Sequence, residues 1–277
     1  MKASDNARFI FEIMKSKGLS SKSNIGYTID EALIGKLEEW ENKYGGMSQE
    51  ELGEMQQGRD FDIIGGNTYF YRSFDPIKEF TRKWTPQQNH NLSVTGGSKK
   101  TTYNISLSYL TQSGVMKYNS DKYDRYTLHS NITTNVSDWW KVRTNILFTC
   151  TKNDEPYRFT SGQYDAWFYL LRWPRWYPYA NYQGRPFRSA VTDIKHGNRE
   201  NTTTTYVRGN LGTEITPMKN LSINFDYTFS FTNDSRKVNG GTIYAYDMFS
   251  TAPFSNYTDI YGLPHNMAEQ SSQYTLQ

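Results

Sequence analysis

The sequence predicts an all-β protein: an antiparallel up-and-down meander forming part of a transmembrane β-barrel, with a partly helical N-terminal loop region. Three observations predict it. First, Leu221, Ile223, Phe225, Tyr227, Phe229 and Phe231 alternate strictly with Ser222, Asn224, Asp226, Thr228, Ser230 and Thr232. That run is about twice the ~5–6 residues usual for a soluble strand. Second, the alternation recurs along the chain. Third, the connections between alternating segments run short, long, short, long, as they do when short turns lie on one side of a membrane and long loops on the other.

Residues 1–66 form one region and residues 67–277 the partial barrel. In the first, Ile29, Leu33, Ile34, Leu37 and Trp40 have helical spacing. Thr28 with Glu31 matches a capping box, and Ser48 is placed to cap a further turn. An ordered loop insertion is expected here. Further on, strands are predicted near 88–96, 100–112, 123–137, 139–152, 202–216, 219–233 and 266–276. Tyr103, Ile105, Leu107 and Tyr109 oppose Asn104, Ser106 and Ser108. Tyr126, Leu128, Ile132 and Val136 oppose Arg125, Thr127, His129, Asn131 and Thr133. Trp140, Val142, Ile146 and Phe148 oppose Lys141, Arg143 and Asn145, with Leu147 the one apolar residue on the polar side. Tyr103, Leu107, Leu128, Ile146, Phe225 and Phe229 are expected to face lipid. Tight turns are predicted at Gly96–Lys99, Ser137–Asp138 and Pro217–Asn220, and long loops at 155–200 and 234–263, on the same side as a medium loop at 112–122.

Composition fits this reading. The 277 residues carry a net charge of +3, too mild to argue for nucleic acid. Mean hydropathy is −0.78, and no apolar run approaches the ~18 residues of a membrane helix. Barrel strands are apolar on one face only, so low hydropathy is expected of them. Aromatic residues make up 16 % of the chain, as girdles at two membrane interfaces would require. The single cysteine, Cys150, excludes an internal disulfide framework.

Nothing in the sequence points to catalysis. His90, His129, His196 and His265 lie in unrelated segments without metal-ligand spacing. No catalytic residue, metal or cofactor is expected, and the protein is read as not an enzyme. One segment is a candidate for substrate or partner contact. It holds Trp167, Arg172, Trp173, Arg175, Trp176, Tyr177, Tyr179 and Tyr182. Flat aromatic faces stack on sugars, and Arg reaches hydroxyls or carboxylates. The same residues equally suit packing of the loop against its neighbours.

The segment from Asn89 to Thr149 is similar to the SusC/RagA-type TonB-dependent outer-membrane transporters. Their motif of Asn-His-Asn-Leu-Ser, paired Gly, then spaced Lys, Tyr, Ser and Tyr is met by Asn89, His90, Asn91, Leu92, Ser93, Gly96, Gly97, Lys100, Tyr103, Ser106 and Tyr109. Gly114, Arg125, Tyr126 and Asn131 continue it, and Thr95 stands where Ser is usual. Arg172, Trp173, Pro174, Pro178, Tyr179 and Gly184 match a loop pattern of the same family.

The resemblance covers about residues 65–235 and implies the cell outer membrane. It implies nutrient import of oligosaccharides or peptides with a SusD-like surface lipoprotein as partner. It also implies a plug domain and a TonB box, through which the TonB complex acts. Neither is found in this sequence, which is therefore expected to be an internal section of a longer chain. Two other readings stay open: a non-transporting outer-membrane barrel (an adhesin or structural protein), and a soluble carbohydrate-binding β-sandwich.

Overall fold

Period-two alternation becomes a pleated sheet because successive side chains point to opposite faces. The computed structural model describes residues 2–19, 28–65, 67–156, 174–187, 191–192, 195, 198–239, 244–246, 256–258 and 267–276. The elements in chain order are α1 (Ala3–Ser16), α2 (Glu31–Tyr44), α3 (Gln49–Leu52), β1 (Phe61–Ile64), β2 (Asn67–Phe70) and α4 (Pro76–Phe80). Then come β3 (Gln87–Gly97), β4 (Thr101–Ser113), β5 (Lys122–Ser137), β6 (Trp140–Pro156), β7 (Arg199–Met218) and β8 (Leu221–Val238). β9 (Tyr244–Tyr246), β10 (Asn256–Thr258) and β11 (Met267–Leu276) complete the series.

Seven strands form one antiparallel sheet in the order β11-β8-β7-β6-β5-β4-β3. Sequence neighbours are sheet neighbours throughout, apart from the small β9–β10 hairpin between β8 and β11. The seven segments expected to be strands are these seven. Their ends run further than the alternation alone implies: β6 continues to Pro156 and β8 to Val238. The sheet is an open meander, and among the described residues it does not close into a barrel. Two hairpins lay outside the sequence expectation, β1–β2 and β9–β10.

The register sorts the side chains into two unlike faces. One row crosses every strand of the sheet as Leu92, Leu107, Leu128, Phe148, Val207, Phe231 and Tyr274. Tyr103, Ile146, Phe225 and Phe229 lie on the same face. Three residues along each strand, on the opposite face, a second row reads Thr95, Asn104, Asn131, Asn145, Asn210 and Thr228. The apolar face is uncovered: Leu92 is 63 % exposed and Phe225 is 62 % exposed.

Two glycines of β7 serve the two faces. A side chain at Gly209 would meet the Phe229 ring at 2.3 Å, so the bare backbone lets Phe229 lie across β7 on the apolar side. A side chain at Gly212 would meet Asp226 Oδ1 at 2.5 Å. There the gap lets Arg143 of β6 and Asp226 of β8 approach to 3.7 Å across the strand between them.

Antiparallel order fixes where the connections lie. Residues 98–100, 138–139 and 219–220 turn at one edge. Residues 114–121, 157–198 and 239–266 connect at the other, as the length alternation predicts. β3 starts at this second edge, so the N-terminal elements sit there too. Backbone bonds anchor them: Lys117 N–H donates to Phe80 O at 2.8 Å and Arg82 N–H to Val115 O at 2.8 Å.

These N-terminal elements make a separate packed unit, here termed the head. α2 buries Leu33, Ile34, Leu37 and Trp40 along one face, the stripe that its spacing predicts. Its cap is Asp30, whose side chain accepts from Leu33 N–H at 2.8 Å. The expected Thr28 cap is therefore corrected: the N-cap lies two residues later, at Asp30, and Asp is as good an acceptor there as Thr. The Ser48–Glu51 capping box on α3 is present. α1 lays Ala3, Ala7 and Met14 into the core. Its first-turn N–H groups are met from α2, where the Glu41 carboxylate accepts from Ala3 N at 2.7 Å, Ser4 N at 3.1 Å and Ser4 Oγ at 2.5 Å. The core continues through β1 and β2 into Tyr71 and Phe74, so the β1–β2 pairing bridges the point where the sequence changes texture.

Candidate functional site

The aromatic segment singled out in the sequence is divided by the structure. Trp167, Arg172 and Trp173 lie outside the described residues. Arg175, Trp176, Tyr177, Tyr179 and Tyr182 belong to a strap, residues 174–187, that is docked on the head. Backbone hydrogen bonds hold it: Phe74 N–H donates to Arg175 O at 2.7 Å, Met55 N–H to Asn181 O at 2.7 Å and Tyr246 N–H to Pro186 O at 2.8 Å. Glu54 accepts from Gly184 N–H at 3.2 Å.

Side chains complete the docking. Trp176 and Tyr177 are 2 % and 1 % exposed, in one cluster with Leu33, Leu37 and Phe70. Tyr182 stands edge-on to Phe61 with ring centroids 5.2 Å apart. Tyr179 stands edge-on to Phe74 at 5.5 Å. Such pairs add about 0.5–1.5 kcal/mol beyond area burial. The Tyr179 hydroxyl is buried without a hydrogen-bond partner among the described residues, and burial pushes its pKa up. Trp176 and Tyr177 therefore work from inside, holding the strap in place. Arg175, Tyr179 and Tyr182 are half-buried and keep part of their surface outward.

A charged network that sequence reasoning missed braces the same region. Arg72 and Asp60 are both fully buried, with guanidinium and carboxylate 3.7 Å apart. The Arg72 Nε and Nη2 donate to Gln49 Oε1 at 3.0 and 2.8 Å, and Nη1 donates to Gly53 O at 2.8 Å. Asp60 accepts from Trp40 Nε1 at 3.1 Å, Gln56 N at 2.8 Å and Arg59 Nη2 at 2.6 Å. Burial lowers the Arg72 pKa to about 10, with Asp60 pulling the other way. Tyr71 is pushed up by burial and then by Asp62, whose carboxylate its hydroxyl reaches at 3.1 Å. Burial likewise raises Glu79. No sequence spacing flags Arg72 with Asp60, because a buried pair is defined by what surrounds it. This network supports the loop edge and offers no open site.

The polar face of the sheet is a second candidate surface. Its asparagine row is hydrogen-bonded in three pairs. Asn104 Nδ2 donates to Thr95 Oγ1 at 2.7 Å, Asn145 Nδ2 to Asn131 Oδ1, and Asn210 Nδ2 to Thr228 Oγ1 at 2.8 Å. Ion pairs sit toward both ends. Lys141 meets Glu214 at 3.2 Å and Arg143 meets Asp226 near the short turns. Near the long connections, Arg236 meets Glu200 at 2.5 Å and Glu269 at 3.1 Å. Such a face binds water and polar solutes well and packs poorly against an apolar layer. Among the described residues no group of His, Cys, Asp and Glu is placed to hold a metal ion.

Three solved structures share this architecture. A chain of the RagAB peptide transporter matches with a TM-score of 0.56 at 19 % identity, over 86 % of this chain and 26 % of that one. A chain of the RagAB peptide importer in its "open-open" state matches with a TM-score of 0.52 at 19 % identity, over 74 % and 25 %. A chain of the "closed-closed" state gives 0.51 at 22 % identity, over 61 % and 20 %. The likeness is one of fold, and this chain spans 20–26 % of the length of these three chains. No family model matches the sequence, and no curated protein does.

Proposed function

We propose that this chain is a section of the wall and outer rim of an outer-membrane, TonB-dependent importer of the SusC/RagA type. One observation carries the reading. A continuous apolar face of membrane height backs a continuous hydrated face, with no layer of the protein covering the apolar side among the described residues. On β6 the apolar positions run from Trp140 to Cys150 and give way to Lys152 and Asp154. Ten steps at ~3.3 Å, tilted near 45°, rise ~23 Å, close to the ~25 Å apolar band of an outer-membrane barrel. Aromatic residues mark both limits, Trp139 and Trp140 at the short turns and Tyr109, Tyr126 and Trp84 toward the long connections. A soluble β-sandwich needs a second layer on that face.

In this reading the apolar face contacts lipid, the asparagine face lines a wet lumen, and the head stands outside the cell. The likeness to peptide importer chains favours peptides over oligosaccharides as cargo. The head is then the surface that meets a lipoprotein partner, and the energy for transport comes through a plug region that engages TonB elsewhere in the full protein. Contact with cargo or partner at the strap falls to Arg175, Tyr179 and Tyr182, together with Trp167, Arg172 and Trp173.

The test is topological and uses whole cells. With Cys150 replaced by Ser in the full-length protein, a cysteine at the exposed Gln183 should react with an impermeant maleimide. Cysteines at Lys99 and Lys219, on the short turns, should stay unreacted until the membrane is opened. The reverse pattern would put the head on the periplasmic side and end the reading. Recovery of the protein in the aqueous phase without detergent would end it as well.

A further inference from the structure

We propose that Arg208 is the anchor of a carboxylate-binding station at mid-height on the polar face, taking a free carboxylate of a peptide cargo. The inference rests on the reading of that face as the wall of a transport lumen. Three successive rows make up its middle band. They run Asn91–Ser108–Thr127–Thr149–Tyr206–Thr232–Gln273, Ser93–Ser106–His129–Leu147–Arg208–Ser230–Thr275, and the asparagine row from Thr95 to Thr228. Arg208 is the one permanently charged side chain among them. Toward the short turns the cations Lys141 and Arg143 have carboxylate partners, as Arg236 does toward the long connections. Arg208 is exposed and has no ion pair or hydrogen bond among the described residues.

Its surroundings are arranged like the complement of a peptide end. Arg208 lines a hollow with His129, Asn145, Leu147 and Asn210. Leu147, the apolar exception on the polar side of β6, sits directly opposite Arg208 in the register. There it gives a ligand side chain an apolar wall. Asn145 and Asn210 are also directly opposed. Their Nδ2 groups are engaged with Asn131 and Thr228. Their Oδ1 atoms accept nothing among the described residues and are free to receive peptide N–H groups. A guanidinium binds a carboxylate through two parallel hydrogen bonds. A cation without a built-in counter-charge also raises the local concentration of anions in a narrow channel.

The experiment measures uptake by cells carrying the full-length importer, with labelled Ala-Ala-Leu supplied as the free acid or as the C-terminal amide. Surface amounts are equalised by impermeant labelling. In Arg208→Gln the half-saturating concentration for the acid should rise about tenfold, the scale of one charge-assisted hydrogen bond. The amide should be unaffected, and Arg208→Lys should recover part of the loss. Unchanged uptake of both forms by Arg208→Gln would overturn the station. Equal impairment of both forms would overturn it too, by assigning Arg208's partner to the protein itself. If the native importer took up neither form, the importer reading would fail and this inference with it.

Discussion

The head and the sheet of this chain handle their apolar residues in opposite ways. In the head, Phe61, Phe70, Phe187, Trp176 and Tyr177 are removed from solvent by one another. In the sheet, Leu92, Leu107, Phe225 and Phe229 are as apolar and yet uncovered. The charges differ in the same sense. The head buries Arg72 and Asp60 completely, whereas the sheet keeps Arg143 and Asp226 about half exposed. One region obtains its stability from its own interior. The other has backbone hydrogen bonds and a surface that asks for an apolar medium outside. On the function proposed above, a single chain thus contains a part built for water and a part built for a boundary between water and hydrocarbon.

The sharpest way to break this contrast is to remove one member of each charge pair. Asp60→Ala strands the buried Arg72 and should destabilise the head by about 3–5 kcal/mol. Asp226→Ala frees an exposed partner and should cost at most about 1 kcal/mol. Denaturant unfolding of detergent-purified protein, followed by tryptophan fluorescence for the head and by heat-modifiable gel mobility for the sheet, checks both. Equal losses would mean the two regions share one kind of electrostatic support. Truncating Phe61 to Ala should cost a similar ~3–5 kcal/mol, as for other buried aromatics. Phe225→Ala, at 62 % exposure, should leave the protein's unfolding midpoint in detergent nearly unchanged.

A second test asks what medium the sheet faces. Phe225→Arg should lower the folded yield by about 2–4 kcal/mol if its side chain lies near the lipid midplane. Asn224→Arg, one residue away on the other face, should fold normally. Heat-modifiable mobility on gels reads the folded fraction. Matching behaviour of the two variants would merge the faces that the register separates.

The contact at Gly209 gives a smaller effect. Gly209→Ala puts a methyl against the Phe229 ring, and overpacking of this kind costs about 1–3 kcal/mol. Phe229→Leu in the same protein should recover most of that loss. Failure of the second change to help would move the strain from the ring to the β7 backbone.

Alkali should separate the regions more gently. Tyr71 and Tyr179 in the head have pKa values raised above their ordinary 10, by burial first in both cases. Above pH 10 the unfolded chain releases these protons while the folded head keeps them. Stability falls there by about 1.4 kcal/mol per pH unit for each tyrosine. Arg72 works in the opposite direction. Its folded pKa is depressed by burial to about 10, well below its ordinary value, so the cost of burying its charge is relieved above pH 10. With both tyrosines against one arginine, net loss is expected. Tyr71→Phe should flatten the pH profile of head unfolding between pH 10 and 12. An unaltered profile would show that Tyr71 titrates as a free tyrosine.

Alternation at period two was enough to determine seven strands, their order and the two faces. A strand's face depends only on residue parity, and turns of two or three residues leave antiparallel pairing as the one available for β3–β4, β5–β6 and β7–β8; the alternation of short and long connections placed the three pairs side by side in one meander. The asparagines at 104, 131 and 145 were each visible as polar positions; only the register showed that they form one row with Asn210. The sequence also located α2, through the spacing of Leu33, Leu37 and Trp40, and the Ser48 cap. What it could not supply were facts that join distant residues. Glu41 satisfies the first turn of α1 from 37 and 38 positions away. Arg59, Asp60 and Arg72 become a network only when three segments fold together. Trp176 and Tyr177 read equally well as an open binding surface or as packing until the head was in place beneath them. Leu147 looked like a lapse in the pattern until Arg208 stood opposite. Local geometry carries period and parity, so a one-dimensional string records them. Burial is a property of what lies across space from a side chain, and only the tertiary structure decides that.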